Sequence, residues 1–176
     1  MLCLSACGED KNIEAEAMKI VEAINNKDMY SLEIFVFGVE NTVVDEAVAE
    51  FFCDSENDEK GIIYKIIEKE TIEISEVTDE HIVYEITAPD LSDVFNEIIK
   101  TENLTADSFK EYFYSYIVTA GMVKTKVEIP YTYKEEVFTA DYSTPDFLNS
   151  ITGNLITAYQ NLIQQMLQEN SVEETE

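Results

Sequence analysis

Ile72-Glu73-Ile74-Ser75-Glu76-Val77-Thr78-Asp79-Glu80-His81-Ile82-Val83-Tyr84-Glu85-Ile86-Thr87 is the stretch that decides the fold class. Ile72 and Ile74 alternate with Glu73 and Ser75. After a polar break at Thr78-Asp79-Glu80, Ile82, Tyr84 and Ile86 alternate with Val83, Glu85 and Thr87. A period of two places successive side chains on opposite faces, so two such runs joined by a polar turn predict an antiparallel hairpin. From Gly61 onward the composition already turns toward strand formers, and Pro89 stops the second strand. A later run repeats the pattern. Val127, Ile129, Tyr131 and Tyr133 share one face and Lys126, Glu128, Thr132 and Lys134 the other. Glu135-Glu136 then turns the chain, and Val137 to Tyr142 returns.

Helical spacing surrounds these strands. Asn12 is a capping residue with Glu14 in the turn after it, and Ile13, Ala17, Ile20, Val21 and Ile24 form one apolar stripe. They predict a first helix ending near Asn25-Asn26-Lys27. Asp28 caps a second, with Met29, Leu32, Ile34 and Phe35, and Gly38 ends it. Thr42 caps a third carrying Val44, Val48, Phe51 and Phe52. Asp90 caps a helix through Leu91, Val94, Phe95, Ile98 and Ile99. Thr105 caps another, with Phe109, Phe113, Tyr116 and Ile117, that stops at Gly121. This pair interrupts the sheet. Thr144-Pro145-Asp146 combines a cap with proline at the first helical position. It opens a last helix through Leu148, Ile151, Leu155, Tyr159, Leu162, Ile163, Met166 and Leu167, followed by an acidic tail over 169–176. There is no internal repeat and no linker rich in proline or glycine, so residues 13–168 read as one α+β domain.

The chain has 176 residues with 11 basic and 37 acidic side chains, a net charge of −26, and 45% hydrophobic residues, enough for a core. Every basic residue is a lysine; arginine and tryptophan are absent, and His81 is the single histidine. Such a chain repels phosphate backbones and lacks the bidentate clamp for phosphates, so nucleic acid is excluded as a partner and nucleotide chemistry is disfavoured. Its five glycines form no phosphate loop. No apolar run reaches the roughly 18 residues of a membrane span. The acidic stretch Asp54 to Gly61 fails the register of a calcium loop, because Glu59 stands where glycine is required and Lys65 where the bidentate glutamate belongs. It reads as a surface turn, and neither a metal nor a cofactor is expected.

Three cysteines, Cys3, Cys7 and Cys53, do not have metal-site spacing. Cys53, in Phe51-Phe52-Cys53, reads as a small buried hydrophobe. Leu4-Ser5-Ala6-Cys7 is similar to a bacterial lipobox, with leucine three residues before the cysteine and small residues between. The resemblance implies a diacylglycerol on the Cys7 thiol, a lipid anchor in the cell membrane, and a short tether over Gly8 to Asn12. Residues 1–12 are then lipobox remnant and tether. Two acyl chains anchor stably where one does not. Six residues precede Cys7 and none is basic, which leaves a start further upstream, a trimmed chain or a chance match as the readings of this terminus.

Ala23-Ile24-Asn25-Asn26-Lys27-Asp28-Met29, joining two helices ahead of antiparallel strands, is similar to the opening of NTF2-like (cystatin-like α+β) domains. Val127-Glu128-Ile129-Pro130-Tyr131-Thr132-Tyr133, continuing to Thr152-Gly153, resembles the final strands and tail of secreted Gram-positive lipoproteins. The resemblance implies N-terminal helices on a curved antiparallel sheet, here with a helical insertion and a long C-terminal helix. It also implies a pocket, for which Tyr84, Phe109, Phe113, Tyr116, Tyr131 and Tyr133 are the lining candidates; the alternative is that they fill the core. The expected function is a non-catalytic, membrane-tethered domain on the extracytoplasmic face of the bacterial cell membrane, binding a small apolar ligand or an envelope protein. An NTF2-like enzyme of the isomerase or hydrolase type is the second reading. It would use an Asp/His pair with His81 or an Asp/Tyr pair such as Asp141 and Tyr142. A third reading has the chain work through its surface, with the C-terminal helix offering an exposed apolar face.

Overall fold

The period-two and helical stretches segregate into one sheet and the helices that cover it. The computed structural model describes residues 6–38, 53–54, 59–101 and 105–173. In chain order they form α1 (Ala6–Asn25), α2 (Met29–Phe37), β1 (Cys53–Asp54), β2 (Glu59–Lys60), α3 (Ile62–Ile67), β3 (Thr71–Val77), β4 (His81–Pro89), α4 (Val94–Ile99), α5 (Ala106–Thr119), β5 (Met122–Lys134), β6 (Val137–Ala140), α6 (Pro145–Ile151) and α7 (Leu155–Glu173). The protein is therefore α+β. Its main sheet is an antiparallel meander in the order β3-β4-β5-β6, and β1 pairs with β2 separately.

The β3–β4 hairpin has the expected faces. Ile82, Tyr84, Ile86 and Ala88 point into the core, opposite Ile129, Val127, Thr125 and Val123 of β5. On the outer face Glu85 stands across from Glu73 and Lys126 and is held by Lys124, which keeps its carboxyl below the usual range. A bulge at Ser75 shifts the register between Ile74 and Glu76, and Thr78 Oγ1 accepts from the His81 N–H at 3.0 Å to close the turn. Pro130 is opposite His81 at the end of the β4 pairing, one residue before β6 begins to pair at Tyr131. Its missing N–H therefore costs no ladder bond.

Helix α1 lies against β3. Ala17, Ile20, Val21 and Ile24 are buried in a core that also holds Leu32, Ile66, Leu91, Phe113, Phe147 and Leu155. The side-chain amide of Asn25 extends the sheet edge, donating to the Ile72 carbonyl at 2.9 Å and accepting from the Ile72 N–H at 3.1 Å. Asp28 caps α2 through the Ser31 N–H, Thr105 and Ser108 form a reciprocal capping box on α5, and Thr144 with Pro145 opens α6.

Five local expectations are corrected. Helix α1 starts at Ala6 rather than after Asn12, so the backbone of Gly8 to Asn12, expected as a tether, is helical. The β-rich reading from Gly61 misses α3, in which Ile63, Ile66 and Ile67 are buried at helical spacing; burial outweighs the strand preference of isoleucine. Asp90 makes a turn with the Ser92 N–H instead of a cap, and α4 begins only at Val94. The last helix is two helices, because Gly153 and Asn154 adopt positive φ of 58° and 66° between α6 and α7. The backbone of residues 169–173, placed in the acidic tail, continues α7. The helix expected after Thr42 and the centre of the acidic loop at 55–58 lie outside the described residues.

Candidate functional site

Five of the six aromatic candidates lie in or against the hydrophobic core: Tyr84 and Phe113 within it, and Phe109, Tyr116 and Tyr131 packed against it. Tyr84 is fully buried at the sheet centre, and its hydroxyl meets the Ala17 carbonyl at 3.2 Å and the Tyr142 hydroxyl at 2.9 Å. Its ring packs edge-on against Tyr142 and Phe147, and burial raises the phenols of both tyrosines, that of Tyr142 to about 12. Phe109 and Phe113 belong to a second cluster, in which Phe95 links Phe113 to Tyr159 through ring contacts near 6 Å. Tyr116 packs against the core from α5. Tyr131 stacks on Phe138 of β6 at 5.6 Å and donates to the Thr78 carbonyl at 2.7 Å. The Tyr133 hydroxyl accepts from Asn12 of α1 at 3.4 Å. A shallow cleft of about 310 Å3 between α1 and α2 is lined by Lys19, Glu22, Asn26, Asp28, Ser31 and Phe35, and by none of the six.

The acid–base candidates are each held by local turn contacts. His81 opens β4 with its backbone held by Thr78. The Asp141 carboxylate accepts from the Ser143 N–H at 2.9 Å and hydroxyl at 2.6 Å, which holds its pKa down, while the neighbouring Tyr142 hydroxyl points into the core. Cys7 sits on the backbone of the first turns of α1. Among the described residues no group of three or more His, Cys, Asp or Glu could hold a metal ion, and no helix is long and apolar enough to cross a membrane.

Two further places in the structure carry chemistry: Glu70, which the sequence reading did not single out, and the outer face of the last helix, which it named in its third reading. The first is Glu70, between α3 and β3. Its carboxyl is fully buried with no hydrogen-bond partner among the described residues, and desolvation pushes its pKa well up. The charge that opposes this shift is Lys27 in the α1–α2 turn, whose Nζ donates to the Glu70 backbone carbonyl at 2.6 Å. In sequence Glu70 is one acid among 37, and nothing local marks it.

The second is the outer face of α7. Leu155 and Ala158 are buried and Tyr159 contacts Phe95, but Tyr159, Ile163, Met166 and Leu167 are 54%, 38%, 51% and 64% exposed. The stripe therefore continues past the body it covers. From Phe147 to Gln168 the chain carries no Asp, Glu, Lys or Arg, its longest such stretch. Gln160, Asn161, Gln164 and Gln165 flank the apolar positions, where amphipathic surface helices ordinarily carry charges. That run of uncharged residues is the signal from which this face was readable. An apolar, aromatic-bearing face depleted in charge has the composition of an interface core.

No protein-family model matches the chain, and neither does any curated protein or any solved structure.

Proposed function

We propose that this chain is a non-catalytic lipoprotein domain, tethered through Cys7 to the extracytoplasmic face of a bacterial cell membrane, that works by binding a partner protein. The observation that carries the binding half is the exposed, charge-free stripe of α7. A partner is favoured over a small ligand because five of the six aromatic pocket candidates pack in or against the core, which is the alternative to lining a pocket. The tether half rests on Leu4-Ser5-Ala6-Cys7. We read the fold as NTF2-like (cystatin-like), supported by α1 against the first strand of a four-strand antiparallel meander. The α4–α5 pair lies between β4 and β5 as the expected helical insertion.

Detergent phase partitioning of the natively expressed protein, with its upstream codons, tests the tether. The expected result is a detergent-phase protein with a lipid mass on the Cys7 peptide, lost in Cys7→Ala. An aqueous-phase protein with an unmodified Cys7 would overturn it.

A further inference from the structure

We propose that the exposed face of α7 pairs with the same face of a second copy of this chain, antiparallel, with Ile163 facing Ile163 across the two-fold axis. The proposal rests on the reading of α7 as a partner-binding face and names the partner. Three features single out a second copy.

The first is charge. The chain carries −26, so most of its surface repels another copy. The uncharged run from Phe147 to Gln168 is where two copies meet without bringing like charges together. A basic partner would find no acid on this stripe to pair with. An anionic lipid surface would find no lysine there and would be repelled by the rest of the protein.

The second is spacing. Tyr159, Ile163 and Met166 follow one another at intervals of four and three, the interval of a helix-pairing seam, with Leu167 beside them. Glutamine and asparagine on both sides carry donors and acceptors together, so each copy offers the complement of the other.

The third is the chain's end. Glu169 and Glu173 follow the stripe directly on α7. Parallel pairing would set these acids side by side, whereas antiparallel pairing places them at opposite ends, with Tyr159 opposite Leu167. The seam is short, so the contact is weak in free solution. A membrane tether would raise the local concentration and strengthen it.

The test is sedimentation of the full, unlipidated chain at up to about 1 mM, in low and high salt. The expected result is a mass that rises toward twice the 20.1 kDa of one chain, more completely in about 0.5 M NaCl than in about 0.02 M, because salt screens the repulsion of the rest of the surface. Ile163→Glu with Met166→Glu should restore the monomer. Tyr30→Glu with Val137→Glu, exposed apolar positions elsewhere at 74% and 63%, should leave association unchanged. In a chain with Cys3, Cys7 and Cys53 replaced by serine, Ile163→Cys should cross-link to itself and Leu167→Cys should not. A monomer under all conditions overturns the proposal, as does a dimer that survives the α7 changes or falls to the Tyr30 and Val137 pair. Self-cross-linking at Leu167→Cys overturns the antiparallel arrangement. A monomer that instead binds lipid vesicles through α7 assigns the face to a membrane and overturns it as well. The unlipidated chain carries no anchor, so these outcomes are independent of the partitioning result at Cys7.

Discussion

Glu70 and Gly153 each carry a constraint out of proportion to one residue. An unfolded Glu70 releases its proton near the ordinary value of 4.5, whereas burial, with no hydrogen-bond partner among the described residues, holds the folded one protonated to well above it. Between those values the folded state binds more protons than the unfolded state. Its contribution to stability is therefore complete below about pH 4.5 and is lost as pH rises. Glu70→Gln removes that difference. Compared at about pH 5 and about pH 7, the variant should gain on the parent as pH rises, by no more than about 1.4 kcal/mol per pH unit. Urea melts at the two pH values measure the gap, and a gap that does not widen would mean Glu70 is already ionised in the fold. Gly153 has φ of +58°, its carbonyl accepts from the Leu91 N–H at 2.7 Å, and a Cβ there would collide with the carbonyl oxygen of Pro89. Gly153→Ala should cost more than about 2 kcal/mol, read as a lower denaturation midpoint. Gly121→Ala is the control, since open space surrounds that position.

At the scale of elements, the β5–β6 hairpin is the clearest place where sequence and conformation disagree. Glu135 and Glu136 both adopt positive φ, 53° and 64°, in a two-residue turn that favours asparagine followed by glycine. Two adjacent like charges add to the backbone strain. The double substitution Glu135→Asn with Glu136→Gly should stabilise the protein by about 1 kcal/mol, seen as a higher thermal midpoint with unchanged circular dichroism. A lower midpoint would mean the carboxylates make compensating contacts. The lysines join elements in a different way. Lys27 closes the Glu70 carbonyl and Lys69 the Val118 carbonyl at the end of α5, at 2.6 and 2.8 Å. Each satisfies a backbone acceptor that the helix or strand end leaves open.

For the whole molecule, 37 acids against 11 lysines set the terms. The lysines pair with acids on the surface, as Lys19 with Glu16 and Lys100 with Glu97, where a pair contributes little. Self-repulsion therefore opposes the compact state, and screening relieves it. Raising NaCl from about 0.02 to about 0.5 M should raise the thermal midpoint by several degrees. The Ile163→Glu, Met166→Glu chain should keep that rise, which separates screening within one chain from association between two. No rise in the monomeric variant would mean the acids are dispersed too widely to repel.

What the sequence determined by itself was whatever depends on neighbours within a few residues. The β3–β4 hairpin, the inward face of β5, the caps at Asp28, Thr105 and Thr144, and the turn at Glu135-Glu136 all follow from local periodicity and local hydrogen bonding. The exposed stripe of α7 was half legible, since its apolar spacing is visible but its exposure depends on where the body of the protein ends. Tertiary structure alone decided the rest. The isoleucine-rich stretch 62–67 became a helix because its buried face meets the core. One expected helix became α6 and α7 because Gly153 must pass against Pro89. Five of the six aromatic candidates packed in or against the core, and Glu70 alone among the described acids was enclosed, because burial is a property of residues distant in the chain that no local pattern records.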